Sequence, residues 1–240
     1  MTGLESSVNM TTNNPICVAL DTPEIGKAVA LAKAVKPYVG MLKLGMEFFY
    51  ANGAKGYEAV ADLGIAIFLD LKLHDIPNTV AQGLTSLLKL SPPPAITNIH
   101  ATGGLEMMKA ARAAVGPHTK LIAVTILTSL SNENLMATGF DARTSDGHAL
   151  NLAKLAHEAG LDGVVCSPLD LAVIRRNLPR SFLTVVPGIR PAEVSAHDQK
   201  RVATPKSAMA AGADYLVIGR AITGAADPAK AAAEILASLT

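Results

Sequence analysis

The stretch IAIFLDLKLHDIPNTV, residues 65–80, decides how the chain is read. Along an extended backbone side chains alternate faces, so Ile65, Ile67, Leu69 and Leu71 share one side while Ala66, Phe68, Asp70 and Lys72 share the other. The first set is wholly aliphatic and suits a surface packed under helices. The second set ends in an acid and a lysine, and Asp75 follows in the loop. Buried charge is costly unless paired, and a strand built for stability alone would carry Val or Ile there. From about Asn78 the pattern turns helical, so the stretch is one strand–loop–helix unit with charge at the joint.

That unit recurs. Apolar runs at 16–20, 41–45, 65–71, 95–100, 121–127, 163–167, 182–189 and 215–222 alternate with helical patterns near 24–35, 46–62, 78–90, 104–115, 145–159, 169–177, 204–211 and 227–239. Gly160 follows one helix, and Thr204-Pro205 supplies a cap and a first helical residue for another. Eight such units predict an α/β fold, a single (β/α)8 TIM barrel over residues 15–240, after a flexible polar tail over 1–14. The alternative, an open doubly wound sheet, would carry a Gly-rich first turn, and ALDTPEIG has no G-x-G-x-x-G.

Composition excludes several classes of function. The 240 residues are 50% hydrophobic with a formal net charge of +1, which gives no electrostatic case for nucleic acid or an anionic membrane. Cys17 and Cys166 both lie in apolar runs with no ligand spacing, which fits inert thiols in a reducing compartment. The start MTGLESSVNMTTNN has neither the basic end nor the apolar core of a signal peptide, and no apolar run approaches the roughly 18 residues of a membrane span. The expectation is a cytoplasmic protein.

In barrel enzymes the catalytic groups project from the C-terminal ends of the strands. Those ends carry Asp21, Lys43, Asp70 with Lys72, His100, Thr128, Ser167, Arg190 and Arg220. Lys43 can reach the place where Asp70 and Lys72 point, and with Asp75 they would form an alternating Lys–Asp–Lys–Asp array. A lysine between carboxylates is held in one orientation to donate a proton, and carboxylates between lysines stay ionised. Such fixed negative charge would repel a substrate carboxylate by roughly 4 kcal/mol at 4 Å and an effective dielectric of 20. That repulsion acts on the ground state and fades as the carboxylate leaves. The bland reading is a salt-bridge cluster at the barrel rim. The runs VPGIRP and VIGRAI each place a glycine before an arginine at strand ends seven and eight, where barrels commonly bind phosphate. The segment from Arg190 to Val202, with Asp198 and Gln199, could close over a ligand.

These residues resemble a known family. DLKLHDIPNT, LIAVTILTS, GLDGVVCS, PGIRP, DQKRVATP and DYLVIGRAIT are similar, in order and spacing, to the motifs of the orotidine 5′-monophosphate decarboxylases of the bacterial group, from about Ile16 onward. The resemblance implies a homodimeric, cofactor-free lyase, without a metal, that makes uridine 5′-monophosphate and carbon dioxide in pyrimidine biosynthesis. It implies that Lys72 donates the proton, Asp70 presses on the departing carboxylate, and Lys43 positions Asp70 and the ribose hydroxyls. Asp75 and Thr79 would enter the active site of the partner subunit. Asp21 would bind the ribose, Thr128 and Ser129 the pyrimidine, and Gln199, Arg190, Gly219 and Arg220 the phosphate. His74 and His100 are expected to hold loops, Met107 to be helix core and Met108 surface. The long tail and the run SPPPAIT depart from the family pattern without touching a motif residue. A magnesium-dependent sugar-phosphate aldolase or decarboxylase with a D-x-K-x-x-D motif, a sugar-phosphate isomerase or epimerase, and a non-catalytic nucleotide-binding barrel are the rival readings.

Overall fold

Eight aliphatic runs become eight parallel strands because each is buried on both faces, one toward a barrel axis and one toward helices. The computed structural model describes residues 14–141, 144–191 and 203–239. Strands β1 (Ile16–Ala19), β2 (Met41–Gly45), β3 (Ala66–Leu73), β4 (Ile96–His100), β5 (Lys120–Val124), β6 (Gly163–Val165), β7 (Leu183–Val186) and β8 (Tyr215–Ile218) pair in sequence order, and β8 closes on β1. The (β/α)8 barrel is therefore as expected. Helices α1 (Ile25–Val35), α2 (Met46–Ala61), α3 (Pro77–Leu87), α4 (Gly104–Ala114) and α5 (Asn132–Ala137) lie outside the first five strands. Helices α6 (Ser145–Glu158), α7 (Leu171–Asn177), α8 (Pro205–Ala210), α9 (Arg220–Thr223) and α10 (Pro228–Ala237) complete the ring.

The alternation read from residues 65–72 is what separates the two cores. Ile67, Leu69 and Leu71 join the layer between strands and helices, while Phe68 packs inside the barrel with Cys17, Met41, Ile96, Ile122 and Val217. Thr204 caps α8 as expected, accepting a hydrogen bond from the Ser207 N–H, and Gly160 takes φ +77° after α6.

Four features differ from expectation. The last strand stops at Ile218, since the bend at Gly219 (φ −105°, ψ −109°) turns the chain into α9, so Arg220 opens a helix rather than ending a strand. Helix α5 lies between the apolar run at 121–127 and the helical pattern near 145–159, where no helix is expected, and its signal is the reciprocal cap between Ser131 and Asn134. Met108 is buried, not on the surface, because α4 packs against α3 and α6 as well as the barrel and has little free face. Asn14, assigned to the tail, is tied down: its side chain donates to the Tyr38 carbonyl at 2.8 Å and accepts from the Ile16 N–H at 3.0 Å.

Two aspartates bolt the N-terminal face of the barrel in the same way. AGLDGVV (159–165) and AGADYLV (211–217) each place an aspartate just before a strand. Asp162 accepts from the Leu121 N–H at 2.8 Å, from Arg112 at 2.7 Å and from Lys120 at 3.1 Å. Asp214 accepts from the Thr184 N–H at 2.7 Å and pairs with Arg175 and Arg180. Each thus stitches its strand to the preceding one. Replacing Asp214 by Ala leaves a buried N–H and a mostly buried guanidinium without their acceptor, and is expected to cost about 2–4 kcal/mol. A fall in the urea midpoint at constant slope measures it, and Asp214→Asn, which keeps an acceptor oxygen, is expected to lose less.

Candidate active site

Three strands deliver the charged side of a cavity of about 340 Å³ at the C-terminal mouth of the barrel. Lys43 projects from β2 and Asp70 from β3, and both are buried, at 8% and 6% exposure. The register sets Lys43 beside Phe68 and Gly45 beside Asp70, so the lysine reaches diagonally along the pair. Its ammonium lies 3.1 Å from Asp70 Oδ2 and 3.4 Å from Asp21 Oδ1. Gly45 leaves the room for this, because a Cβ there would sit 3.2 Å from Lys43 Nζ. Lys72 Nζ donates to Asp70 Oδ1 at 2.7 Å. Lys43, Asp70 and Lys72, with Asp21, form one linked group on the cavity wall.

The electrostatics follow from that linkage. Burial pushes the Asp70 carboxyl up, but the ammoniums of Lys43 and Lys72 and hydrogen bonds from Lys72 and Asn98 outweigh it and hold it below the usual carboxylate range. Burial likewise draws the Lys43 ammonium down, and Asp70 and Asp21 more than reverse this, so it stands above the ordinary lysine value. Asp70 and Lys43 therefore keep their charges through the neutral range. What the group presents is fixed, mutually compensated charge aimed into a water-accessible hollow.

The other wall comes from the ends of β7 and β8. Gly188, Arg190, Gly219 and Arg220 line the cavity with Thr128, over an apolar floor that includes Val124, Ile126 and Val217. Gly188 takes φ +79°, which an L side chain rarely adopts. The chain leaves at Arg190 and returns at Ala203, whose carbonyl accepts the Arg190 N–H at 3.0 Å, so both ends of the intervening segment sit at the mouth. Gln199 and most of the segment expected to close over a ligand lie outside the described residues.

Not every expected residue is brought to this cavity. Asp75 and Thr79 are exposed on the loop after β3 and the first turn of α3, and do not line it. Asp75 accepts from the Ile76 N–H at 2.7 Å and forms no ion pair within the described part of the chain. The fourth member of the alternating array is thus absent from this chain's own cavity. Ser129 is exposed beside Thr128 and also lies outside the lining. Ser167 is spent on structure, accepting from the Leu169 N–H to cap a short turn, while its neighbour Cys166 borders the cavity. Cys17 lies beneath the charged group, where burial pushes its thiol up to about 12. His74 and His100 pack ring to ring with centroids 5.4 Å apart; burial, then His74 and Lys72, hold the His100 imidazole below its ordinary value.

One residue was missed in the sequence. Asn98 on β4 is fully buried, donates to Asp70 Oδ1 at 2.7 Å and accepts the Lys72 N–H at 2.8 Å. Its signal was an amide inside an aliphatic run, sharing parity with Ile96 and His100, and a buried amide demands partners. Among the described residues no cluster of three or more His, Cys, Asp or Glu side chains is placed to hold a metal ion.

Comparison with known proteins agrees with the geometry. Residues 14–235 match the orotidine 5′-phosphate decarboxylase / HUMPS family. An orotidine 5′-phosphate decarboxylase of Novosphingobium aromaticivorans is 53% identical over 227 residues, covering 95% of this chain and all of the relative. That of Erythrobacter litoralis is 49% identical over the same shares. Among solved structures, the orotidine 5′-phosphate decarboxylase of Lactobacillus acidophilus superposes with a TM-score of 0.82 at 37% identity, covering 95% of this chain and 99% of that one. A barrel with this charged group at its mouth and relatives this similar over nearly their whole length leaves one assignment: the chain belongs to the orotidine 5′-phosphate decarboxylase / HUMPS family.

Proposed function

We propose that this chain is an orotidine 5′-phosphate decarboxylase, converting orotidine 5′-monophosphate to uridine 5′-monophosphate and carbon dioxide in pyrimidine biosynthesis. The observation that carries the reading is the Asp70 carboxylate, held ionised between Lys43 and Lys72 at the mouth of the cavity. Substrate binding sets the pyrimidine carboxylate against Asp70. The C6–carboxylate bond breaks, its electron pair stays on C6, and the Lys72 ammonium gives its proton to that carbon; solvent then reprotonates Lys72. Repulsion of roughly 4 kcal/mol that disappears as carbon dioxide departs would speed the step by about 10³. Lys43 and Asp21 hold the ribose hydroxyls, and Thr128 with Ser129 holds the pyrimidine edge. Arg190, Gln199, Arg220 and the Gly219 backbone hold the phosphate, whose binding energy sustains the repulsion at the far end of the substrate.

The working unit in this reading is a homodimer in the cytoplasm, with Asp75 and Thr79 of each chain completing the cavity of the other. Their exposure supports it, as does that of Ile76 between them, which is 66% exposed. No helix is long and apolar enough to cross a membrane among the described residues.

The test is the absorbance change of orotidine 5′-monophosphate with purified protein, with and without EDTA. Fast loss of substrate absorbance, unchanged by chelator, is the expected result. Turnover that requires magnesium would move the chain to the sugar-phosphate branch and make Asp70 and Asp75 metal ligands.

A further inference from the structure

We infer that Asn98 is a positioning residue of this site, locking the Asp70 carboxylate and the Lys72 backbone into one arrangement; the inference rests on the decarboxylase reading above. The strand ladder explains why such a residue is needed. Leu69 pairs with Thr97 and Leu73 with Ile99, so β3 carries two more residues than β4 between these pairs. Asp70, Leu71 and Lys72 occupy the bulge, and Lys72 takes φ +53°, a conformation that costs on the order of 1–3 kcal/mol and needs its surroundings to hold it.

Asn98 stands opposite the bulge and closes a ring of hydrogen bonds. Its Oδ1 accepts the Lys72 N–H, which the ladder has given up, at 2.8 Å. Its Nδ2 donates to Asp70 Oδ1 at 2.7 Å, and the same oxygen accepts Lys72 Nζ at 2.7 Å. The amide can point only one way, since an N–H only donates and a carboxylate only accepts. No other side chain of this length offers a fixed donor and a fixed acceptor together: Leu supplies neither, Asp lacks the donor, and Gln is one carbon too long. Asn98 does not line the cavity, so it acts through Asp70 and Lys72 rather than on substrate.

A pH signature distinguishes this role from simple packing. The groups facing Asp70 are Lys43 from β2 with Asp21 behind it, Lys72 on its own strand, Cys17 beneath it on β1, and His100 further along β4 with His74 against it. The two ammoniums and the Asn98 N–H favour the ionised carboxyl. The active form is lost as pH falls through the depressed Asp70 value, so removing one donor brings that loss at a higher pH.

The experiment compares wild type, Asn98→Ala and Asn98→Asp in the full chain, with Asn98→Ser in reserve if the alanine variant does not fold. For Asn98→Ala, kcat is expected to fall about 10- to 100-fold, with KM within roughly threefold of wild type. The acid limb of kcat/KM should move upward. Asn98→Asp keeps an acceptor for the Lys72 N–H but sets a second carboxyl against Asp70, and should move the limb further. In parallel, the Asp70 carboxyl is titrated by carbon-13 NMR in the substrate-free proteins, assigned with Asp70→Asn. A raised titration midpoint in the Asn98 variants supports the proposal. An unmoved midpoint, with kcat unchanged or lowered equally at every pH, overturns it. If wild type fails to turn over orotidine 5′-monophosphate, the decarboxylase reading falls, and the titration still decides what Asn98 does.

Discussion

Lys72→Ala turns over orotidine 5′-monophosphate roughly 10⁴-fold more slowly than wild type, or not at all, while still binding uridine 5′-monophosphate measurably. Two losses combine in this variant. The proposed proton donor is gone, and Asp70 Oδ1 loses its bond from Lys72 Nζ. Lys43 and Asn98 remain on the carboxylate, so the barrel rim keeps most of its pairing and the fold is expected to persist. The cavity wall at Arg190, Gly219 and Arg220, proposed to hold the phosphate, is untouched, so product binding is expected to survive. Lys72→Arg separates charge from proton transfer: the guanidinium can restore an ion pair to Asp70 but does not deprotonate near neutral pH. It is therefore expected to remain within about tenfold of the alanine variant in kcat. Near-normal turnover in Lys72→Ala, followed by the same absorbance assay, would overturn the proton-donor role.

The legibility of the site in the sequence follows from where side-chain parity holds. Within β3 up to Asp70 the backbone alternates strictly, so residues 66–70 could be assigned to inner and outer faces without a structure. Beyond Asp70 the bulge and the positive φ of Lys72 break that rule. Lys72 faces the cavity as expected, but through a distorted backbone. The residue that maintains the distortion lies on another strand, and nothing local to Asn98 says which strand it will face. It takes the pairing of β3 with β4 to bring it 2.7 Å from Asp70. The glycine–arginine pairs were legible as cavity residues because strand ends seven and eight converge in any such barrel. Whether an arginine sits on a strand or on the first turn of a helix was not legible, since that depends on the backbone bend at Gly219. Asp75 and Thr79 stand apart: their motif is in the chain, and this chain's own cavity does not use them.

Mixing inactive Asp70→Ala and Asp75→Ala subunits restores about one quarter of wild-type activity, if Asp75 serves the partner's cavity across a two-fold interface. Each site then takes Asp70 from one chain and Asp75 from the other. In a heterodimer of the two variants, one site lacks both aspartates and the other has both. Random exchange makes about half the dimers heterodimers, each with one good site of two, hence the quarter. Purified heterodimers carrying two different tags should reach about half. The homodimers alone are expected to fall by roughly 10³ or more, since each removes a fixed charge from every site. If Asp75 instead turned inward to its own Lys72, every site in the mixture would lack one aspartate and no activity would return. Complete absence of rescue, with heterodimers shown to form, would therefore return Asp75 to its own chain. The exposure of Asp75, Ile76 and Thr79, on the loop after β3 and the first turn of α3, is what makes the first outcome the expected one. A carboxylate and an apolar side chain on the same exposed turn can enter a neighbouring cavity and cover its rim together, which a loop folded back on its own barrel would not need.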